Sequence, residues 1–195
     1  MSQYFNKIAV GFNVMPLQIA LRRQPHLFGK YDMRCVGNSP HRESTDIWVR
    51  YNAIEKVLEN GKQLNSAHPA NQEHRPVWYP VYYQLPDIRP VIFDLMRLVD
   101  GEELGTILLV KIPPGKQIYP HIDGGWSAQY YEKYYIAVQS APGNAFNFPD
   151  GSILPTTGDA YWFDNSVLHD AKNESNEDMV MLIITIKSDK VKDAA

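Results

Sequence analysis

The sequence predicts a mostly β fold with flanking helices: a double-sheet jelly roll or a small barrel. Three observations carry that reading. From Gly105 onward, six short strand-like segments are cut apart by Pro-, Gly- and Asp-rich turns. The residues upstream mix helical and extended patterns, as elements packed outside a sheet would. The length of 195 residues suits one domain and is too short for two ordinary ones. We therefore expect one domain over residues 1–195, with a mixed flanking part at 1–104 and a jelly-roll core at 105–187.

In the flanking part, Pro16 to Arg23 reads as a helix. Pro16 suits a first turn, and Leu17, Ala20 and Leu21 recur at helical spacing. Asp46 to Tyr51 alternates in polarity as a strand does. Glu59 to Pro76 is polar and holds Gly61 and Pro69, which marks a long surface loop. Asp87 to Val99 is a second helix, with Asp87 as its cap, Pro90 in the tolerant first turn and Gly101 as its stop. Ile88, Val91, Ile92, Leu95 and Met96 then share one face. The core strands are expected at Thr106–Ile112, Gln117–Asp123, Lys133–Gln139, Ala145–Phe148, Ala160–Phe163 and Met179–Lys187. Pro113-Pro114-Gly115, Ala141-Pro142-Gly143, Pro149-Asp150-Gly151 and Thr157-Gly158-Asp159 supply the turns.

Charge and cysteine content narrow the function classes. Lys plus Arg is 19 and Asp plus Glu is 22, so the net charge of −3 argues against charge-driven binding of duplex nucleic acid. The single cysteine, Cys35, excludes an intrachain disulfide and fits a reducing, cytoplasmic setting. No apolar run approaches the roughly 20 residues of a membrane span. The start, Met1 to Lys7, lacks the basic flank and apolar stretch of a signal peptide. A peptide, protein or small-molecule substrate is the expected partner, and nothing in the pattern speaks to oligomeric state.

The informative site is Tyr119-Pro120-His121-Ile122-Asp123-Gly124-Gly125. His121 and Asp123 are two apart, so on a strand their side chains leave one face. His169, after the apolar run Tyr161-Trp162-Phe163, is the best third ligand. Two histidines and one carboxylate with open positions form the facial set suited to non-haem Fe(II). A lone His-x-Asp is a weak signal, and the third histidine inside a jelly roll is what strengthens it. His26, His41, His68 and His74 sit near prolines or polar residues and read as loop residues.

The ordered set Ile112-Pro113-Pro114-Gly115, Pro120-His121-Ile122-Asp123, Lys133-Tyr134-Tyr135-Ile136, Gly158, Phe163-Asp164-Asn165, His169 and Asn173-Glu174-Ser175 resembles the aspartyl/asparaginyl β-hydroxylase family. The likeness spans about residues 75–187. It implies a cupin-like double-stranded β-helix and a 2-oxoglutarate-dependent oxygenase whose Fe(II) is held by His121, Asp123 and His169, the catalytic set. It also implies chelation of 2-oxoglutarate at the metal and O2-driven hydroxylation of a C–H bond. Two departures stand out. The family pattern has Arg-x-His where this chain has Lys133-Tyr134-Tyr135, and an Arg on the last strand where it has Met179. Methionine offers neither cation nor donor to the distal carboxylate of 2-oxoglutarate.

Lys133 is the first candidate to replace that Arg, with Tyr135 on the same strand face offering a phenol. Lys111 and Lys187 read better as surface charges. Asn173 is a candidate for orienting the co-substrate or ligands, or for a plain turn hydrogen bond. Trp126 and Tyr130, with Tyr131, follow the metal loop and are candidates to close over a substrate. Arg50, with Arg34 and His41, belongs to the half that would cover the pocket and is a candidate for substrate binding; surface ion pairs are the plainer reading there. Asp164 reads as a turn cap. Two other functions fit the same pattern: a ligand-binding jelly roll without oxygenase activity, and a cupin-like metalloenzyme that does not use 2-oxoglutarate.

Overall fold

The computed structural model describes residues 2–53, 58–59, 62–63 and 76–188. In chain order the elements are β1 (Phe5–Ala9), α1 (Met15–Arg23), a 3-10 turn (Pro25–Leu27), β2 (Thr45–Asn52), β3 (Leu58–Glu59), β4 (Lys62–Gln63) and β5 (Pro76–Trp78). Then come α2 (Val81–Gln84), α3 (Ile88–Leu98), β6 (Glu103–Ile112), β7 (Gln117–His121), α4 (Trp126–Tyr130) and β8 (Glu132–Gln139). β9 (Asn144–Phe148), β10 (Gly151–Ile153), β11 (Ala160–Phe163), β12 (His169–Asn173) and β13 (Met179–Lys187) complete the chain.

Two sheets form the jelly roll. The large one runs β1-β11-β8-β13-β6-β2-β5 and the small one β10-β9-β12-β7, all paired antiparallel. β8, β13 and β6 sit in the middle of the large sheet, and their central residues are buried one after another, on both faces. Such strands need cover on both faces. The small sheet closes one face, and helices cover the other. α1 lies against β8, burying Leu17 and Leu21. α3 buries Ile88, Val91, Ile92 and Leu95, at about 2 kcal/mol for each side chain removed from water. β2 and β5 extend the large sheet from the flanking part, so one hydrophobic core includes residues of both halves.

Several expectations need correction. The strand predicted at Gln117–Asp123 ends at His121, so Asp123 stands on the loop that follows. Asp87 has helical backbone angles and its side chain makes no capping bond; Pro86 O and Leu85 O receive the N–H groups of Arg89 and Ile88. β1, β5, β10 and β12 fall where the sequence pattern marks no strand. The expected loop at Glu59–Pro76 lies mostly outside the described residues, as do His68 and His74; its described ends belong to β3, β4 and β5. Asp164 does cap its turn, Oδ1 accepting the N–H of Ser166 at 2.8 Å.

Small devices position the mouth of the barrel. β7 is an edge strand, which is why Pro120 is tolerated within it. Its free edge is covered by the flanking part, the N–H of Tyr119 donating to Pro40 O at 2.9 Å. At Gly105 a side chain would collide with Thr185 Oγ1 and the Tyr131 ring, so glycine there lets Tyr131 pack over the end of β6.

Candidate metal centre

His121 ends β7 and His169 begins β12, and the two are directly opposed in the antiparallel register. Opposed residues present their side chains on the same face, and the rings lie 4.4 Å apart, centroid to centroid. Each ring is oriented the same way. Nδ1 of His121 lies 2.8 Å from Tyr119 O, and Nδ1 of His169 lies 2.8 Å from Val167 O. A carbonyl only accepts, so the proton of each neutral ring sits on Nδ1 and the lone pair on Nε2. Asp123 reaches the same point from its loop, which is tied down by its own N–H donating to Asn165 O at 3.1 Å. Its carboxylate is 3.7 Å from Nε2 of His121 and 4.0 Å from Nε2 of His169. One ligand atom from each of the three lies within 4.8 Å of the others.

The electrostatics suit ligation. Burial pushes His169 down to about 4 and also lowers His121, so both rings are neutral at pH 7, as metal ligands must be. Burial alone would raise the Asp123 carboxyl. The Lys133 ammonium against it more than reverses this, holding Asp123 well below the usual carboxylate range. Lys133, on β8, is hydrogen-bonded to Oδ2 of Asp123 and lies 5.6 Å from the centre of the Phe163 ring. Two imidazole Nε2 atoms and one ionised carboxylate thus fit a divalent first-row metal, with the remaining directions open to the cavity.

That cavity, about 190 Å³, opens beside the triad. Its depth is apolar, walled by Leu108, Val110, Ile118, Phe146, Met181 and Ile183. Its mouth is polar, with Arg34, His41, Lys133 and Asn165 around the ligands. Met179, at the position of the family Arg, is fully buried and is not among the lining residues.

The other sequence-predicted residues are divided. Lys133 lines the cavity. Tyr135 is fully buried between the Tyr161 and Phe146 rings, outside the lining, with a hydroxyl that has no hydrogen-bond partner among the described residues. Burial holds its phenol well above its ordinary value. Asn173 is likewise outside the lining. Its amide donates to Ile112 O at 2.8 Å and Glu177 O at 2.7 Å, and its oxygen accepts from Asn144 and Ser175. It knots the far end of the barrel, which is the turn role. Arg50 donates to Leu104 O at 3.2 Å and packs over Trp78, away from the cavity. Tyr130 is exposed and donates to Glu103 Oε2 at 3.1 Å; its neighbour Tyr131, buried, is the one that lines the cavity. The side chain of Trp126 lies outside the described residues. Lys111 and Lys187 face Asp178 and Glu102 on the surface.

Sequence reasoning placed Arg34 and His41 in the covering half but read surface ion pairs there. Arg34 is instead bonded to Asp46, which is 1% exposed, and to His41 Nε2 at 3.1 Å. The His41 ring packs edge-on against His121, 4.9 Å between centroids. Burial first, and then the Arg34 guanidinium, push His41 well below its ordinary value. Tyr51 of β2 lines the same wall.

No protein-family model matches the chain, and no curated protein matches it. Solved structures do. A prolyl-4-hydroxylase of Pseudomonas putida superposes with a TM-score of 0.52 at 11% identity, over 95% of this chain and 94% of that one. An oxidoreductase of the 2OG-Fe(II) oxygenase family from Burkholderia pseudomallei gives 0.51 at 14% identity, over 86% and 77%. The collagen prolyl hydroxylase of Paramecium bursaria Chlorella virus-1, solved with 2-oxoglutarate, gives 0.50 at 11% identity, over 96% and 97%. At these identities the likeness establishes the fold: this chain is a double-stranded β-helix. No helix among the described residues is long and apolar enough to cross a membrane.

Proposed function

We propose that the chain is an Fe(II)- and 2-oxoglutarate-dependent oxygenase that hydroxylates a C–H bond of a peptide, a protein side chain or a small molecule. The observation that carries the reading is the convergence of His121, Asp123 and His169 at one end of the barrel, each imidazole with its lone pair on Nε2. The fold of the neighbours supports it, and the ordered motif around the ligands supports placement near the aspartyl/asparaginyl β-hydroxylases. With metal and 2-oxoglutarate bound, the site would supply O2 activation coupled to oxidative decarboxylation.

This chain's own residues do the rest. The Nδ1–H bonds to Tyr119 O and Val167 O fix the two rings in the ligating tautomer. Asp123 stays ionised and offers its oxygens, which speaks against a halogenating variant needing that position open. Lys133 supplies a cation beside the triad to pair with an incoming carboxylate. The apolar depth offers the non-polar part of a bound molecule a place out of water. A reducing, cytoplasmic setting belongs to the same proposal, on the single cysteine.

A second reading has its own observation: the wall where a family Arg would meet the distal carboxylate is apolar, with Met179 buried behind it. That favours a cupin-like metalloenzyme without 2-oxoglutarate, or a binding protein. An anaerobic titration of the Fe(II)-loaded protein with 2-oxoglutarate, followed by the visible charge-transfer band, separates the two. The oxygenase gives a saturable band, weakened in Lys133→Ala and absent in His169→Ala. Iron binding without a band at millimolar 2-oxoglutarate would overturn it in favour of the second reading.

A further inference from the structure

We propose that Arg34 is a carboxylate-binding residue of the cavity, so that the mouth carries a second anion position besides Lys133. The proposal rests on the oxygenase reading only where the carboxylate is that of 2-oxoglutarate. Arg34 lines the cavity with its side chain 19% exposed. Arg34 is bonded to His41 at 3.1 Å, and the His41 ring lies 4.9 Å from that of His121, so the guanidinium stands one side chain away from the ligands.

The guanidinium is held from two sides. Nη1 donates to Asp46 and Nη2 to Nε2 of His41. An Arg can only donate, so His41 Nε2 must accept, and the ring carries its proton on Nδ1 and no charge. His41 is therefore a neutral prop, and the two bonds set the guanidinium plane while using two of its roughly five donors. The remaining N–H groups belong to a planar fork that suits a carboxylate. Asp46 holds the guanidinium from behind, outside the lining, and the N–H groups left over are those that would give an anion charge-assisted hydrogen bonds. Among the lining residues the acid is Asp123, which Lys133 and the proposed metal engage. The deep wall is apolar, so a carboxylate in this cavity has Lys133 and Arg34 as its cationic partners.

The carboxylate has two sources, the second carboxylate of 2-oxoglutarate or one on the primary substrate. The test titrates Mn(II)-loaded and metal-free protein by calorimetry with three probes. These are 2-oxoglutarate; 2-oxovalerate, which has the same chelating end without the second carboxylate; and glutarate, which has two carboxylates and no chelating end. Arg34→Gln is compared with Arg34→Gln/Asp46→Asn, which removes both charges and leaves no buried acid unpaired if the single variant folds poorly. If Arg34 takes the second carboxylate of 2-oxoglutarate, both variants weaken 2-oxoglutarate about tenfold or more and leave 2-oxovalerate unchanged. If it serves a substrate carboxylate, both 2-oxo acids bind as before, and glutarate added to the protein saturated with Mn(II) and 2-oxoglutarate loses its binding. Equal binding of all three probes by wild type and variants overturns the proposal, and so does an equal loss across all three. Failure of wild type to bind either 2-oxo acid sinks the oxygenase reading instead, and glutarate on the metal-free protein still reports on Arg34.

Discussion

The two ends of the barrel are built on opposite principles. At the far end, Asn173 has every amide group engaged: two carbonyls take its N–H groups, and Asn144 and Ser175 donate to its oxygen. At the mouth, His121, His169, Asp123, Lys133, Arg34 and His41 crowd around a cavity, and Nδ1 of His41 is buried with no partner among the described residues. A polar group with all its partners inside the protein makes structure. Titratable groups crowded around a cavity, with donors and acceptors left over, are where a fold keeps its chemistry. The contrast makes separable predictions, because the mouth should govern binding and the far end stability.

The largest effect is expected at His169. His169→Ala should lose measurable Mn(II) or Fe(II) binding while its circular dichroism stays that of the wild type. The same residue gives the metal-free protein an acid limit. Burial lowers the folded-state value of His169 from 6.5 to about 4, so the unfolded chain takes up the proton first on acidification. Its contribution is therefore complete above pH 6.5 and is lost as the pH falls through about 4. The loss amounts to about 3 kcal/mol. Urea midpoints of the metal-free protein should fall over that window, and less so in His169→Ala. An unchanged midpoint from pH 7 to 4 would contradict the buried, neutral ring.

Next comes the far end. Asn173→Ala removes at once the side-chain donors to Ile112 O and Glu177 O and the acceptor of Asn144 and Ser175, and should cost about 2–3 kcal/mol in urea denaturation. Metal affinity of the folded fraction should not change. A variant of near wild-type stability with impaired metal or 2-oxoglutarate binding would reverse the assignment of the two ends and return Asn173 to the site.

The same contrast explains what was legible in the sequence. His121, Asp123 and His169 sit in short motifs with turn signals around them, and the strands β6, β8, β11 and β13 carry continuous apolar runs. β12 escaped because His169-Asp170-Ala171-Lys172-Asn173 is polar or small throughout: its inward positions hold a ligand, an alanine and the knot, not β-branched residues. Arg34 and His41 escaped for a different reason. Their meaning depends on Pro40 docking against the edge of β7, a contact between distant segments that no local spacing encodes. Of the adjacent candidates Tyr130 and Tyr131, the structure brings only Tyr131 to the cavity, a distinction that two neighbouring tyrosines in the sequence do not carry.

That pair gives the finest test of the division. Both phenols donate to Glu103, Tyr131 to Oε1 at 2.9 Å and Tyr130 to Oε2 at 3.1 Å, so their chemistry is matched and their surroundings are not. Tyr131 is 3% exposed and lines the cavity, whereas Tyr130 is 37% exposed and does not. The Tyr131 bond is made from a buried ring, where water replaces it less readily than at Tyr130, so Tyr131→Phe should lower stability by about 1 kcal/mol. Tyr130→Phe should stay within about 0.5 kcal/mol of wild type, because water replaces the lost bond at an exposed site. Urea denaturation of the two variants side by side reads the difference directly. Equal losses would mean that the Glu103 carboxylate, and not burial at the mouth, sets the value of both contacts.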